Sequence, residues 1–217
     1  MKTYKGYRAE LQLNNVQTTA CYKHAGAARY AYNWGLEQKK RAYANGEKTP
    51  TAIDLHRQLV VLKQGPLSWL YEVSKWAPQE ALRNLDRAYD NYFKKRSDFP
   101  KFKNKRNSIN SFRLYGSIKV SDNYVKLPYL GVLKLKERGY LPLDAKILSA
   151  TVSEHAGRWF VSILVEKDIP EYTGVKDAHD VVGVDLGIKT LATVSDGTSY
   201  ENPKALRAKL RKLKRFQ

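Results

Sequence analysis

Arg158-Trp-Phe-Val-Ser-Ile-Leu-Val-Glu-Lys167 alternates residue by residue: Trp159, Val161, Ile163 and Val165 point one way, while Phe160, Ser162, Leu164 and Glu166 point the other. A period of two is that of a β-strand with one face on a core. Ala156-Gly157 is a turn signal, and Ile147 to His155 on its far side reads as a second strand. Upstream, Ser111 to Val120, Tyr124 to Leu127 and Val132 to Leu135 have the same character, with turns at Ser121-Asp122-Asn123 and Gly131. Tyr4 to Leu13 is also rich in β-formers. Short antiparallel strands without regular helices among them predict a small barrel, which the Tyr4 strand closes. The segment between Leu13 and Ser111 is then an insertion.

That insertion reads as helical. Asn14-Asn15 ends the first strand and can cap a helix after it. From Val16 to about Ala44 there is no Pro, and Gly26 and Gly35 are the weak points of one long helix. Cys21 reads as a small packing residue on it. Arg29 and Asn33, four apart, share a face and can meet a common polar partner. Thr49-Pro50-Thr51 opens a second helix with Leu55, Leu59 and Leu62 on one stripe, ended by Gly65-Pro66. Ser74 or a neighbour caps a third, whose first turn tolerates Pro78 and whose Leu82, Leu85, Tyr89 and Tyr92-Phe93 recur at helical spacing. Lys94 to Arg106 then holds seven basic residues and one acidic one, with Phe99 and Phe102 interleaved and Pro100 breaking any helix. Such a loop suits a phosphate backbone, although a charge run is also an ordinary solvated face.

Downstream of the alternating strand, Ile169 to Asp180, with Pro170 and Gly174, reads as a linker. Next comes Val181-Val-Gly-Val-Asp-Leu-Gly-Ile-Lys189: an apolar run enters Asp185, Gly187 permits a tight turn, and Thr190 to Val194 is a second β-rich run before Ser195-Asp196-Gly197. An Asp where a strand emerges is either a satisfied turn residue or a ligand for a cation. Glu201 to Gln217 carries seven Lys/Arg and one Glu, with Leu206, Leu210 and Leu213 on one helix face.

Composition narrows the partner. The chain has 217 residues and 39 Lys+Arg against 21 Asp+Glu, a net charge of +18. Such an excess repels itself unless a polyanion neutralises it, and phosphate backbones are the common polyanion. One cysteine excludes an internal disulfide or a Cys-rich zinc site within these residues. No apolar run approaches the roughly 20 residues of a membrane span, and no signal-peptide core comes after Met1, so a cytosolic location is expected.

Taken in order, these segments resemble the TnpB family, transposon-encoded RNA-guided nucleases related to the ancestors of type V CRISPR effectors. The residues that carry the resemblance are Arg29 with Tyr32-Asn33, Asp54-Leu55 with Leu62-Lys63, and Leu82-Arg-Asn-Leu-Asp-Arg-Ala-Tyr89. Phe99-Pro-Lys-Phe-Lys103, Val125-Lys-Leu-Pro128 with Gly131, and Gly183-Val-Asp-Leu-Gly-Ile-Lys189 complete them. The resemblance implies an α+β, multidomain chain. A wedge-type antiparallel β-barrel (1–15 and 107–172) carries a helical recognition insertion with its basic loop (16–106), and 180–217 begins an RNase H-like (RuvC-like) nuclease domain.

It further implies RNA-guided DNA binding and, in the complete protein, Mg²⁺-dependent cleavage beside a short flanking motif, in the prokaryotic cytosol or nucleoid and in the service of transposon maintenance. Asp185 matches the first catalytic, metal-binding carboxylate. Ser74, Lys75 and Gln79 match the positions that contact the flanking motif of the target double-stranded DNA. The guide RNA is expected along the barrel and the loop, with Arg29, Asn33, Lys101, Lys103, Lys105 and Arg106 toward nucleic-acid backbone. Two-metal hydrolysis needs several carboxylates. The family's later Glu, four-cysteine zinc ribbon and third Asp have no counterpart before Gln217, so zinc is expected only in a C-terminal part beyond this chain. These residues alone should not cut DNA. The alternative reading is a cleavage-incompetent, truncated RNA/DNA-binding regulator.

Overall fold

A computed structural model describes residues 2–106, 108–168 and 181–216. They fall in two compact units, 1–169 and 170–217. The expected linker at 169–180 lies outside the described residues.

In the first unit, β1 (Lys2–Gln12) is the middle strand of a seven-stranded sheet ordered β2-β6-β7-β1-β5-β4-β3. The others are β2 (Ser111–Leu114), β3 (Lys119–Val120), β4 (Tyr124–Leu127), β5 (Gly131–Leu135), β6 (Lys146–His155) and β7 (Arg158–Asp168). β1 pairs antiparallel with β7 from Lys2↔Asp168 to Glu10↔Phe160, then passes to β5 through Leu11↔Leu135. The alternation that reveals β7 in the sequence is its burial pattern: Trp159, Val161, Ile163 and Val165 are buried, and the residues between them are half-exposed.

The sheet does not close into the expected barrel. The stretch read as one strand, Ser111 to Val120, breaks at Gly116, whose φ of +97° suits glycine. Its first half pairs with β6 on one edge and its second half with β4 on the other. A covalent bend joins the two edges where a barrel would have a hydrogen-bonded ladder, so the α+β class holds and the architecture is an open, strongly coiled sheet.

Between β1 and β2 the chain forms α1 (Asn15–Ala44), α2 (Ala52–Lys63), a one-turn 3-10 helix at Ser68–Glu72 and α3 (Trp76–Phe93). Capping boxes open α1 and α2: Asn14 and Gln17 exchange backbone and side-chain bonds, as do Thr51 and Asp54. α1 turns a face of small residues inward, Cys21, Ala25, Ala28 and Gly35 among them, and α3 packs closely against it. A Cβ on Gly35 would lie 2.7 Å from Leu82 Cδ2 and 3.1 Å from Leu85 Cδ2. The weak point of the sequence is thus the point of closest packing. Burial pushes the Cys21 thiol up to about 12, as befits an inert packing residue. Lys39 is buried too; its ammonium donates to Pro50 O at 2.7 Å and pairs with Asp86 at 2.8 Å, while Asp86 accepts Ala52 N–H at the start of α2. Helices and sheet share one core, from Leu55, Leu82 and Leu85 to Leu114, Leu133 and Ile163.

The second unit holds a three-stranded antiparallel sheet, β8 (Val184–Leu186), β9 (Thr190–Val194) and β10 (Ser199–Glu201), and α4 (Ala205–Phe216). Gly187 makes the turn after β8, where a Cβ would stand 2.9 Å from Thr190 O. No described residue of this unit is buried, and Leu186, Ile188, Leu206 and Phe216 are at least three-quarters exposed.

Candidate nucleic-acid interface

The start of α3 is held from beneath. His24, on the inward face of α1 and 1% exposed, donates from Nδ1 to Ala20 O at 2.8 Å and accepts the Ser74 N–H on Nε2 at 3.0 Å. Those two bonds fix its tautomer. Its ring packs 5.0 Å from Phe112, and burial holds its pKa below the ordinary histidine range. Ser74 is itself buried, with Oγ toward the Trp76 N–H at 3.5 Å. Next to it Lys75 is exposed, its ammonium 5.3 Å from the Trp76 ring, and Gln79 stands one turn on, half-exposed. Lys75 and Gln79 therefore share an accessible face that Ser74 does not reach; Ser74 lies in the layer that positions it.

α3 is anchored on the sheet by the buried Glu80, which binds Arg83 at 2.7 Å and the Tyr115 hydroxyl at 3.2 Å. Tyr115 in turn packs 5.2 Å from Trp76. Spacing alone could not find His24, Glu80 or Tyr115 as supports, because each acts across dozens of residues; a lone His on an Ala-rich helix face was the available signal.

Arg29 and Asn33 do share a face of α1, but they meet different partners, Asn110 and the Lys103 backbone, rather than a common one. Arg29 donates to Asn110 Oδ1 at 2.9 Å, and Asn110 continues to Glu154 and Tyr22. Asn33 closes a reciprocal pair with the Lys103 backbone, 2.8 Å in each direction. Both side chains are thus engaged in fixing the basic loop. Within it the Lys103 ammonium sits 4.1 Å over the Tyr32 ring, and desolvation there lowers its pKa although much of the side chain stays exposed. Lys101 reaches Asp98 only at 4.0 Å, and Lys105 and Arg106 are exposed with no acidic partner among the described residues. Lys94, Lys95 and Arg96 at the start of the loop are likewise exposed with no acidic partner among the described residues, so the loop carries free charge at both ends.

A second basic surface escaped the sequence reading. Where β1 passes from β7 to β5, Lys134, Lys136, Arg138 and Arg158 surround Glu10 in a hollow of about 480 Å³ floored by Trp159. Glu10 pairs with Lys136 at 3.2 Å and Arg158 at 3.3 Å. Lys134 and Arg138 have no acidic partner among the described residues, so the hollow keeps a positive excess suited to phosphate.

Asp185 lies in the second unit on β8, exposed and opposite Thr193. Among the described residues no group of three His, Cys, Asp or Glu is placed to hold a metal ion. One carboxylate does not make a Mg²⁺ site, so these residues by themselves do not fit the ion. Among the described residues no helix is long and apolar enough to cross a membrane.

A helix-turn-helix domain model of the OrfB/IS605 kind matches residues 1–48. In the structure that range contains β1 and the whole of α1, and the next helix begins only at Ala52. InsQ of Escherichia coli (strain K12), named a candidate RNA-guided DNA endonuclease, is 30% identical over 220 residues, covering 100% of this chain and 54% of its own length. A protein of Streptomyces pristinaespiralis with the same description is 34% identical over 183 residues, 82% of this chain and 45% of the relative. One from Mycobacterium tuberculosis (strain ATCC 25618 / H37Rv) is 28% identical over 246 residues, 97% and 54% respectively. The chain spans about half the length of the curated relatives it matches. With its motifs in family order and its whole length aligned to such a relative, the chain is similar to the TnpB family of candidate RNA-guided DNA endonucleases.

Proposed function

We propose that this chain is the recognition part of an RNA-guided DNA endonuclease. The observation that carries the reading is the match of all of this chain to InsQ, a relative named for that activity. The geometry supports it chemically. Guide RNA lies along the hollow around Glu10 and the loop bearing Lys101, Lys105 and Arg106, where unpaired cations face outward. Target sequence is then read by base pairing, and the flanking motif by the start of α3. There Gln79 can pair with adenine N6 and N7, and Lys75 can reach guanine or phosphate. Residues 180–217 begin the RuvC-like domain, with Asp185 contributing one ligand to a Mg²⁺ site whose other carboxylates lie outside these residues. The protein works in the prokaryotic cytosol or nucleoid and serves transposon maintenance.

The test uses the complete protein with its copurified RNA. Cleavage should follow the guide when the guide sequence is changed, and Asp185→Ala should abolish cut product while guided binding stays within about twofold. Undiminished cutting by Asp185→Ala removes the catalytic role. The alternative reading, a guided binder that does not cut, predicts guided binding without product from the unaltered protein.

A further inference from the structure

The end of α3 forms a cleft unlike the two basic surfaces. Tyr89, Tyr92 and Phe93 from α3, Phe99 from the basic loop and Tyr43 from α1 line a cavity of about 770 Å³. The rings brace one another edge to face, with Phe99 at 5.4 Å from Tyr89 and 5.2 Å from Tyr92. Yet their faces stay open: Tyr43 is 82% exposed and Phe93 72%. No Leu, Ile, Val or Met contributes to the wall. A wall of braced rings with exposed faces offers π-surfaces on which a base can stack.

The charge around this wall has a pattern. Lys40 stands on one rim, and Lys95 and Arg96 flank a shallow hollow that shares Tyr92 and Phe99 with the cleft. The backbone that carries them is held in a helix-ending turn: Lys95 N–H closes on Tyr92 O at 2.9 Å and Arg96 N–H on Asn91 O at 2.8 Å, with Lys95 at φ +55°. A lysine in a conformation that favours glycine is mildly strained, and strain of that kind gathers at functional positions. Within the wall, Asp86 is neutralised by Lys39, but Asp90 is exposed and without a side-chain partner among the described residues. A carboxylate there rejects phosphate and can accept from a 2′-hydroxyl or an exocyclic amino group. Cations outside, rings within and an acceptor between them match the parts of one unpaired nucleotide.

We propose that this cleft takes an unpaired base of an RNA strand, stacked on Phe93 and Tyr43 with its flanking phosphates on Lys40, Lys95 and Arg96. The choice of RNA rests on the guided function proposed for the chain and on the acceptor at Asp90; the stacking rests on the cleft alone.

The test uses this 217-residue chain and a short single-stranded RNA carrying 2-aminopurine at one internal position. Binding should quench the probe's fluorescence, and the same strand in a duplex should bind without quenching. Tyr43→Ala with Phe93→Ala, both on exposed rings and checked for an unchanged melting curve, should weaken single-strand binding roughly tenfold and restore the fluorescence. RNA bound equally by the double variant, or bound by the unaltered chain without quenching, overturns the cleft and leaves the guided function standing. No RNA bound at all overturns both. Single-stranded DNA of the same sequence, bound as tightly or more so, overturns the assignment to RNA.

Discussion

His24 shows how a single side chain can decide whether a recognition surface is in place. Its Nε2 is the acceptor for the Ser74 N–H, and nothing else among the described residues takes that proton at the start of α3. Replacing it with Ala leaves a buried donor unpaired beside a cavity, a loss of about 3 kcal/mol. Its pH dependence has a definite sign. Burial holds the folded-state pKa below the ordinary 6.5, so the unfolded chain takes up a proton first. The contribution is full above pH 6.5 and is lost as pH falls toward the folded value. Chemical-denaturation midpoints measured from about pH 8 to 5 should therefore drop on the acid side in the wild type. They should drop less in His24→Gln, whose amide oxygen can accept the same N–H without titrating. His56 shifts in the same direction from burial, but it is present in both proteins and cancels in the comparison. Equal acid-side losses in the two would remove His24 from the explanation. Legibility at this scale was uneven. Lys75 and Gln79 do stand at the helix start that Pro78 in a first turn and the apolar spacing after it predict, because those signals are local. Ser74, expected beside them on the surface, is buried, because its environment is made by α1 some fifty residues earlier.

Helix α1 is the element on which the first unit is assembled, and its two internal glycines separate propensity from packing. Both looked like weak points, since glycine costs a helix interior roughly 1 kcal/mol relative to alanine. At Gly26 a Cβ would meet nothing within 4 Å, and Gly26→Ala should raise stability by about 0.5–1 kcal/mol. At Gly35 added atoms would press on Leu82, Leu85 and Leu55, and Gly35→Val should lower stability by about 1–3 kcal/mol. Thermal melts of the two variants should shift in opposite directions; a shared direction would mean that the close contact of α1 with α3 does not govern the site. Hydrophobic period located α1, α2, α3 and the strands β4 to β7 well, since each buries one face. It failed at Ser111 to Val120, where a correct alternation hid a bend at Gly116, and with that bend went the closed barrel. Arg29 and Asn33 share a face as their spacing predicts, while their separate partners, the Asn110 side chain and the Lys103 backbone, are tertiary facts that no local pattern contains.

At the scale of the whole molecule, charge was the most legible property and its distribution the least. A net +18 pointed to a polyanion from the composition alone. Which cations are free had to come from the structure, because Lys39 is spent inside the core and Lys136 and Arg158 on Glu10, while Lys75, Lys95, Arg96, Lys105, Arg106, Lys134 and Arg138 are among those with no acidic partner among the described residues. The second unit, whose described residues include none that are buried, shows the same boundary between reading and seeing: its first two strands and the turn between them were predicted, β10 was not, and a core for them is not among these residues. The decisive measurement is the affinity of the complete, guide-loaded protein for two duplexes that differ only in the flanking motif. Lys75→Ala with Gln79→Ala should lower binding to the motif-bearing duplex by roughly tenfold or more, to the motif-free level, and leave the motif-free duplex unchanged. An equal loss on both duplexes, or none on either, would contradict recognition through the start of α3.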